Sequence, residues 1–528
     1  MPIAFDNIPS ETLVPLWWAE IKPAQAPFTA TPKLLLMGHK WTYTGAEFGN
    51  ADLNVVYPLS GDNCHDLFGP GSQLDLMYRY ARQQAPFLDI RGIAVAEDVA
   101  AVAAHGVIEV TGTPSKRLSG PLTIWICDVP IRIIVWAGNT QAQVATAIRT
   151  AINAKSSLIP MTAIKFRADY PTPGGSETAT KTRVVCKHKG TLGNSIVIKR
   201  DRDGNSRTLA ESLLTVTQPA SGSGGPALAN ALAGIGDQPF STIVMPFDSQ
   251  TQMNSMRDFM DAVSGRWSPT KQIYGHVVTA HAASYANQLT FAANFNDPHM
   301  TCFAAEAPPQ PVWLTAAAAG AVMDQNLDAP PRISRPLQSL PLRGIVAPIN
   351  DSQWFDIAER NALHAAGLAT CSVDLDGTVR INRAVTTYKT NVWGVNDSSW
   401  RDAETLYQAA YFANSMKAAI TGAFPRSALT DLPSGITGFA SPDQIKDVIV
   451  HEYKRLESIG LVENSSLFAQ NLVVERNALD ANRVDVFMPI DVVNQLRVVA
   501  ASIESHLQLK DSALLNGTDV AETDDLNT

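Results

Sequence analysis

The chain has few residues that could form a disulfide framework or hold a metal ion. Its 528 residues include only five cysteines, and none belongs to a C-x-x-C pair. They are far apart along the chain, at Cys64, Cys127, Cys186, Cys302 and Cys371. An odd number of widely spaced cysteines is not typical of a disulfide scaffold or a zinc site. We therefore predict buried thiols, no metal and no cofactor.

Basic charge and long apolar runs are also scarce. Charged residues make up 17% of the chain, and the formal net charge is -9. Binding to nucleic acid needs a basic surface, so the acidic excess argues against a nucleic-acid partner. No uncharged apolar run reaches the roughly 18 residues of a membrane span, and the N-terminus lacks the pattern of a signal peptide. We expect a chain that is made and folded in a cytoplasm, without membrane insertion.

Motifs for catalysis are sparse, and one short stretch has two interpretations. The sequence "DLDGT" (Asp374–Thr378) fits the nucleophile motif of haloacid-dehalogenase-type phosphotransferases. In that interpretation Asp374 attacks phosphorus and Asp376 serves as acid and base. However, Asp-Gly between two alternating apolar runs is a strong hairpin signal. We favour the hairpin and no enzymatic activity, and keep the phosphotransferase as an alternative of another class.

The pattern along the chain predicts an α/β and α+β multidomain protein. Strand and helix patterns alternate over residues 28–105 and again over 227–345, which indicates one discontinuous α/β domain. Residues 106–219 hold short strand patterns between turn residues and end at a Gly/Ser linker. We interpret them as an inserted β-rich outer domain. Residues 346–509 read as a C-terminal α+β domain.

One helix of this last domain is well marked. Ser441 and Gln444 form a capping box and Pro442 takes the first turn, so a helix should start there and end at Gly460. Three basic side chains lie mostly off its apolar face: Lys446, Lys454 and Arg455.

Both ends of the chain have unusual composition. Residues 1–27 look like an extended arm whose apolar residues would cover both faces of a strand: Leu13, Val14, Leu16, Trp17, Trp18 and Ile21. Such a strand must be covered on both sides, by its own domain or by a neighbouring molecule. The last 18 residues hold five acids and no base, so we expect 510–528 to be a flexible tail.

The sequence "RVDVFMPIDVVNQLRVVAASIESHLQL" (483–509) is rich in strand-forming residues although it lies near the C-terminus. We predict two strands separated by the segment Pro489–Asp491. The apolar residues of the first are Val484, Val486 and Met488. Those of the second are Leu496, Val498, Val499 and Ile503. Their edges are candidates for pairing with another molecule.

Several segments resemble contractile tail sheath proteins of Mu-like bacteriophages. "FDNIPSETLVPLWWAEI" resembles the family opening F-x-x-I-P-S-x-x-R-V-P-G-x-Y-x-E-I, with Leu13, Leu16 and Trp18 replacing Arg, Gly and Tyr. Further similar segments are "KHKGTLGNSIVI" (187–198), "VRINRAVTTY" (379–388) and "LVVERNALDANRVDVFMPIDVVNQLRVVA" (472–500).

The resemblance implies a structural subunit of a virion, assembled in the host cytoplasm. Its partners would be identical subunits in stacked hexameric rings, the tail tube protein, and baseplate and tail terminator proteins. The terminal arms would add strands to a linking sheet in neighbouring subunits. The 346–509 domain would lie on the inside, with Lys446, Lys454 and Arg455 facing the tube. The sheath of a phage-derived bacteriocin or injection system is an alternative.

Overall fold

A computed structural model describes residues 33–41, 49–61, 63–167, 176–202, 208–431 and 438–503. The chain divides into two units, residues 1–494 and residues 495–528, which are described separately. The first has a mixed α/β fold with several sheets. The predicted arm (1–27) and the predicted acidic tail (510–528) lie outside the described residues.

Strands and helices alternate along the first unit. The strands are β1 (Lys33–Gly38), β2 (Val56–Leu59), β3 (Asp89–Ala94), β4 (Ala103–Val110), β5 (Gly120–Ile126), β6 (Val129–Val135), β7 (Met161–Arg167), β8 (Glu177–Lys189), β9 (Ile198–Lys199), β10 (Leu214–Ala220), β11 (Thr242–Val244), β12 (His276–Ala282), β13 (Met300–Ala305), β14 (Pro341–Val346), β15 (Ala369–Val373), β16 (Thr378–Arg383), β17 (Ala428–Leu429), β18 (Phe439–Ala440), β19 (Val473–Arg476) and β20 (Val484–Phe487). The helices are α1 (Asn63–Phe68), α2 (Gln73–Gln84), α3 (Gln141–Ala154), α4 (Leu209–Leu213), α5 (Ala229–Ile235), α6 (Gln250–Met260), α7 (Tyr285–Ala292), α8 (Val312–Asn326), α9 (Ile357–Ala365), α10 (Ala403–Ala423), α11 (Pro442–Ser458) and α12 (Ser465–Asn471).

A nine-stranded sheet forms the centre, in the order β14-β16-β15-β13-β12-β11-β1-β3-β2. Strands β3, β1, β11, β12, β13 and β15 run parallel. The outer strands β2, β16 and β14 are antiparallel to their neighbours. Helices connect the parallel strands, as the crossover between parallel neighbours requires.

Side chains of β1 show why this sheet is covered on both faces. Leu34 and Leu36 belong to a core that also contains residues of α2, α8, α10 and α11. Leu35 and Met37 point to the other face, into a core with residues of α5 and α6. Strands buried on both faces have continuous apolar runs, and the sequence "KLLLMG" of β1 is such a run.

Helix α8 is almost completely buried against the sheet, as its alanine-rich sequence predicts. Gly320 lies so close to β11 that a Cβ atom added there would be 2.4 Å from Val244 Cγ2. Small residues on this helix therefore allow the close approach of helix and sheet.

The strands between residues 103 and 220 form sheets of their own. One has the order β10-β4-β8-β7 and another the order β6-β5-β9. Helix α3 packs on them, and Val144, Ile148 and Ile152 contribute to a separate apolar core.

The central sheet crosses the boundary predicted at 345/346. Strand β14 ends at Val346 and is hydrogen-bonded to β16, which lies beyond the boundary. The pairing of β14, β16 and β15 was not visible from composition. Strands β14, β15 and β16 therefore all belong to the central α/β sheet, although the boundary predicted at 345/346 separates β14 from the other two.

A buried carboxylate connects α8 to the amino end of β11. Asp324 Oδ1 accepts hydrogen bonds from the hydroxyls of Ser241 (2.6 Å) and Thr242 (2.7 Å). Burial raises the pKa of Asp324 to about 6. The folded protein therefore binds a proton here between about pH 4 and 6 that the unfolded chain has released, so this group destabilises the fold as the pH rises through that window.

We expect Asp324→Asn to remove that pH dependence. Relative to that of the unsubstituted protein, the free energy of unfolding of the variant should rise by on the order of 2–3 kcal/mol between pH 4 and 6. It should not rise further above pH 6. Urea unfolding of both proteins from pH 4 to 8 measures the difference. Asp258→Asn, at an exposed carboxylate on α6, is the control. Parallel stability curves for Asp324→Asn and the unsubstituted protein would contradict the expectation.

Candidate assembly surface

Helix α11 supports the C-terminal part of the first unit. Its predicted capping box is confirmed, because the Ser441 side chain accepts from the backbone N–H of Gln444 and the Gln444 side chain accepts from the N–H of Ser441. On its buried face, the Tyr453 ring stacks on Phe468 with centroids 3.7 Å apart. The Tyr453 hydroxyl donates to the carbonyl of Glu463 at 2.8 Å. Tyr453 therefore joins α11 to α12 and to the segment between these two helices.

A two-stranded antiparallel ribbon packs against α11. Strand β19 pairs with β20, with Val474 opposite Val486 and Val473 opposite Phe487. The turn between them is held by Asn477, whose side-chain oxygen accepts from the N–H groups of Leu479 and Asp480 at 2.8 Å each.

Both outer edges of the ribbon are open. No third strand joins it among the described residues, so each outer edge offers unpaired backbone N–H and C=O groups. Isolated two-stranded ribbons are marginally stable, and a further strand would complete the sheet.

The structure places the first group of predicted linking residues on this ribbon. Val484 and Val486 lie in β20, and Met488 follows directly after its end. Val486 and Met488 contact the main core together with Val474. This side of the ribbon therefore faces the subunit's own interior, whereas Phe487 on the other side is exposed.

The second group lies in the other unit and does not form the predicted strand. Residues 495–503 have no regular secondary structure in the described chain. Their apolar side chains are exposed, at 70% for Leu496, 80% for Val498, 78% for Val499 and 91% for Ile503. A strand needs hydrogen-bonding partners for its backbone, and none of the described strands pairs with this segment. The strand-forming pattern was visible in sequence, but a partner for it was not.

The usual ligand site of an α/β sheet is filled by the protein itself. From β1 the chain moves to β3 on one side, whereas β11, β12 and β13 follow on the other, so the strand order reverses between β1 and β11. Open α/β sheets bind ligands in the crevice at the carboxyl ends of such strands. Here the rings of His39, at the end of β1, and His188, at the end of β8, stack 5.8 Å apart. The remaining cavity has only about 20 Å³, room for about one water molecule.

Further contacts hold β8 in this crevice. The backbone N–H of Lys189 donates to Glu97 Oε1 at 2.9 Å. The Lys187 ammonium donates to the carbonyl of Pro70 at 2.8 Å and to that of Ser156. Burial lowers the pKa of His188 to about 3, so this imidazole is neutral at pH 7. This cluster was not visible in the sequence, because its members come from distant parts of the chain.

The "DLDGT" stretch forms the predicted hairpin between β15 and β16. Gly377 has φ +81°, which favours glycine at this turn position. Asp376 Oδ1 accepts from the N–H of Thr378 at 2.9 Å, and Asp374 pairs with Arg380. Leu375 at the tip is fully exposed. The Asp376 carboxylate is thus engaged in the surface turn, and the Asp374 carboxylate in the ion pair with Arg380.

Two independent parts of the chain match described protein families. Residues 221–387 match the "Phage tail sheath protein central domain", and residues 395–505 match the "Phage tail sheath C-terminal domain". The chain is also 30% identical over 511 residues to the "Mu-like prophage FluMu tail sheath protein" of Haemophilus influenzae, covering 96% of this chain and 99% of that protein. The chain belongs to the phage tail sheath family. The resemblance to sheath proteins of Mu-like phages is therefore confirmed.

The similarity of this sheath-family chain to solved structures is lower. A sheath tail protein of Desulfitobacterium hafniense has 11% identity and a TM-score of 0.47, with 91% of this chain and 97% of that chain covered. A chain of the anti-feeding prophage baseplate, seen by cryo-electron microscopy, has 10% identity and a TM-score of 0.44, covering 94% of this chain and 100% of that chain.

The basic residues predicted to face a tail tube differ in their surroundings in this sheath-family chain. Lys454 is exposed on α11, and Lys446 is half-buried. Arg455 instead makes a bidentate pair with Glu452, at 2.6 and 2.8 Å. This pairing raises the pKa of Arg455. Arg455 is therefore engaged within its own helix, and the tube-facing role of all three residues stays a prediction.

The described part of the sheath-family chain contains no cluster of three or more His, Cys, Asp or Glu side chains placed to hold a metal ion. Within the same residues, no helix is long and apolar enough to cross a membrane. All five cysteine thiols are free, and four of them are buried.

Proposed function

We propose that this chain is the structural subunit of a contractile tail sheath, which polymerises around a tail tube and contracts to drive the tube through the host envelope. The observation that carries the proposal is the similarity to a Mu-like tail sheath protein over nearly the full length of both chains. The sheath subunit would be a component of the virion tail, assembled in the host cytoplasm from identical subunits in stacked hexameric rings. Its other partners would be the tail tube protein and the baseplate and tail terminator proteins.

In this proposal each region has a separate role. Residues 28–105 with 227–345 form the α/β sheath domain, and 106–219 form an inserted outer domain. The part of 346–509 that follows β16 forms the inner domain, whose linking sheet is built on the β19–β20 ribbon. Residues 1–27 are the linking arm and 510–528 a flexible tail.

Strand addition is the proposed linkage between subunits. The ribbon offers unpaired backbone edges, and the segment 495–503 offers apolar side chains that are exposed in the single chain. Strand addition obtains affinity from backbone hydrogen bonds and register from side-chain pockets. A linkage of this kind can persist while the subunit bodies exchange one set of contacts for another during contraction.

A non-enzymatic role fits the arrangement of the central sheet. The crevice between β1 and β11 is filled by His188 and its neighbours, and the carboxylates of "DLDGT" are engaged in a hairpin. These contacts favour the structural role over the phosphotransferase alternative. The sheath of a phage-derived bacteriocin or injection system would be built from the same kind of subunit and stays the nearest alternative.

Electron microscopy of the purified full chain tests the proposal. We expect tubes or rings, because sheath subunits carry their own linking surfaces. A chain that remains a discrete monomer over the whole accessible concentration range would contradict the function.

Deletion of residues 1–22 tests the arm. The described core begins at Lys33, so the shortened chain should fold and remain monomeric. The apolar arm residues would be absent, so the linkage between subunits could not form. Normal tubes from the shortened chain would show that the arm is not needed.

A further inference from the structure

A large cavity lies at the amino edge of the central sheet, opposite the filled crevice. Its volume is about 410 Å³, within the range of about 300–1,000 Å³ that is typical for ligand sites. The first residues of β1 and β12 line one side, and a face of α10 lines the other. The α10 residues that line it are Leu406, Tyr407, Ala410, Tyr411 and Asn414.

The lining is largely aromatic. Trp267 and Tyr274 stand edge to face, with ring centroids 4.9 Å apart, and Tyr411 also lines the cavity. Asp328 lines it as well, and its Oδ2 accepts from Arg332 at 2.5 Å. The cavity therefore suits a flat apolar group.

The described chain begins at this cavity. Lys33 lines it, and the Lys33 backbone N–H donates to Ser241 Oγ at 2.8 Å. The 32 residues that precede Lys33 therefore depart from the cavity wall. They include Trp17 and Trp18, whose indole rings are flat, apolar and carry a single N–H donor.

We propose that this cavity is the docking site for the Trp17–Trp18 pair of the same chain in the free subunit. One indole ring lies between the aromatic side chains that line the cavity. The fifteen residues from Trp18 to Lys33 can span up to about 50 Å, so the pair reaches the cavity without strain. Covalent connection gives it an effective concentration in the millimolar range, which favours it over a free competitor.

Docking would make the arm unavailable to another subunit until assembly provides a better partner. The cavity would thus restrain premature polymerisation. This inference concerns the unpolymerised subunit, so it can fail while the proposed sheath function holds, and the reverse is also true.

Hydrogen–deuterium exchange of the unpolymerised full chain, read by mass spectrometry, tests the docking. We expect residues 13–21 to exchange at least tenfold more slowly than in an Ala410→Phe variant, because the new ring fills the cavity. The matched control is Ala418→Phe, at an exposed position on the same helix, which should retain the protection.

Trp17→Ala combined with Trp18→Ala should abolish protection without changing any residue that lines the cavity. Trp17→Phe combined with Trp18→Phe should retain part of the protection, since an aromatic ring remains at each position.

Three results would overturn the inference. Fast exchange of residues 13–21 in the unsubstituted chain would mean that nothing docks. Equal protection in Ala410→Phe would place the segment elsewhere. Protection that increases between two subunit concentrations tenfold apart would assign the occupant to a second copy. Tube formation by each variant is scored separately by electron microscopy, so that an assembly defect is not mistaken for a docking defect.

Discussion

Replacing Leu496 and Val498 by aspartate is expected to abolish polymerisation and to leave the urea midpoint of the subunit unchanged. Both side chains are largely exposed in the single chain, so their replacement removes little packing. In an added strand they would become buried against another subunit, where two unpaired carboxylates are strongly unfavourable. Sedimentation and negative-stain electron microscopy measure the polymer, and urea unfolding measures the subunit.

The matched control introduces the same charges at exposed apolar positions outside the proposed linkage. Leu375, at the tip of the β15–β16 hairpin, and Val99 are both almost fully exposed. Leu375→Asp combined with Val99→Asp should leave tube formation intact. Tubes of normal length from Leu496→Asp/Val498→Asp, or an equal defect in the control, would exclude a specific role of the C-terminal segment.

Trp313→Ala is expected to destabilise the subunit by about 3–5 kcal/mol, as typical for a buried aromatic residue. Trp313 is 0% exposed, and it lies on α8 in the main core. Its removal leaves a cavity that the buried helix cannot close, because α8 is surrounded on nearly all sides. A loss of that size is a large part of the stability of an ordinary domain.

The same substitution at Trp393 is the control for this effect. Trp393 is 82% exposed, so Trp393→Ala should change the free energy of unfolding by no more than about 0.5 kcal/mol. Urea unfolding followed by circular dichroism compares the two variants without relying on tryptophan emission. Similar midpoints for both variants would show that α8 is not part of the cooperative core.

Local patterns in the sequence were sufficient for several elements. The capping box at Ser441 and the Asp-Gly hairpin at 374–378 were both predicted and are confirmed. In each case the residues that specify the element are neighbours in the chain, so the determining interactions are local. The family was also recognisable from short segments at both ends of the chain.

Contacts between distant residues decided the rest. The junction of His39 with His188, the pairing of β14 with β16 across residue 346, and the cavity beside Lys33 each join segments that are remote in sequence. The predicted strand at 496–503 also depends on distant residues. Its apolar pattern is local, but a strand forms only when its backbone is hydrogen-bonded to another strand. The sequence by itself determined which segments can form helices and strands and which family they belong to. Only the tertiary structure decided which edges and cavities are closed within the subunit and which remain open, because closure depends on side chains that the folded chain brings together.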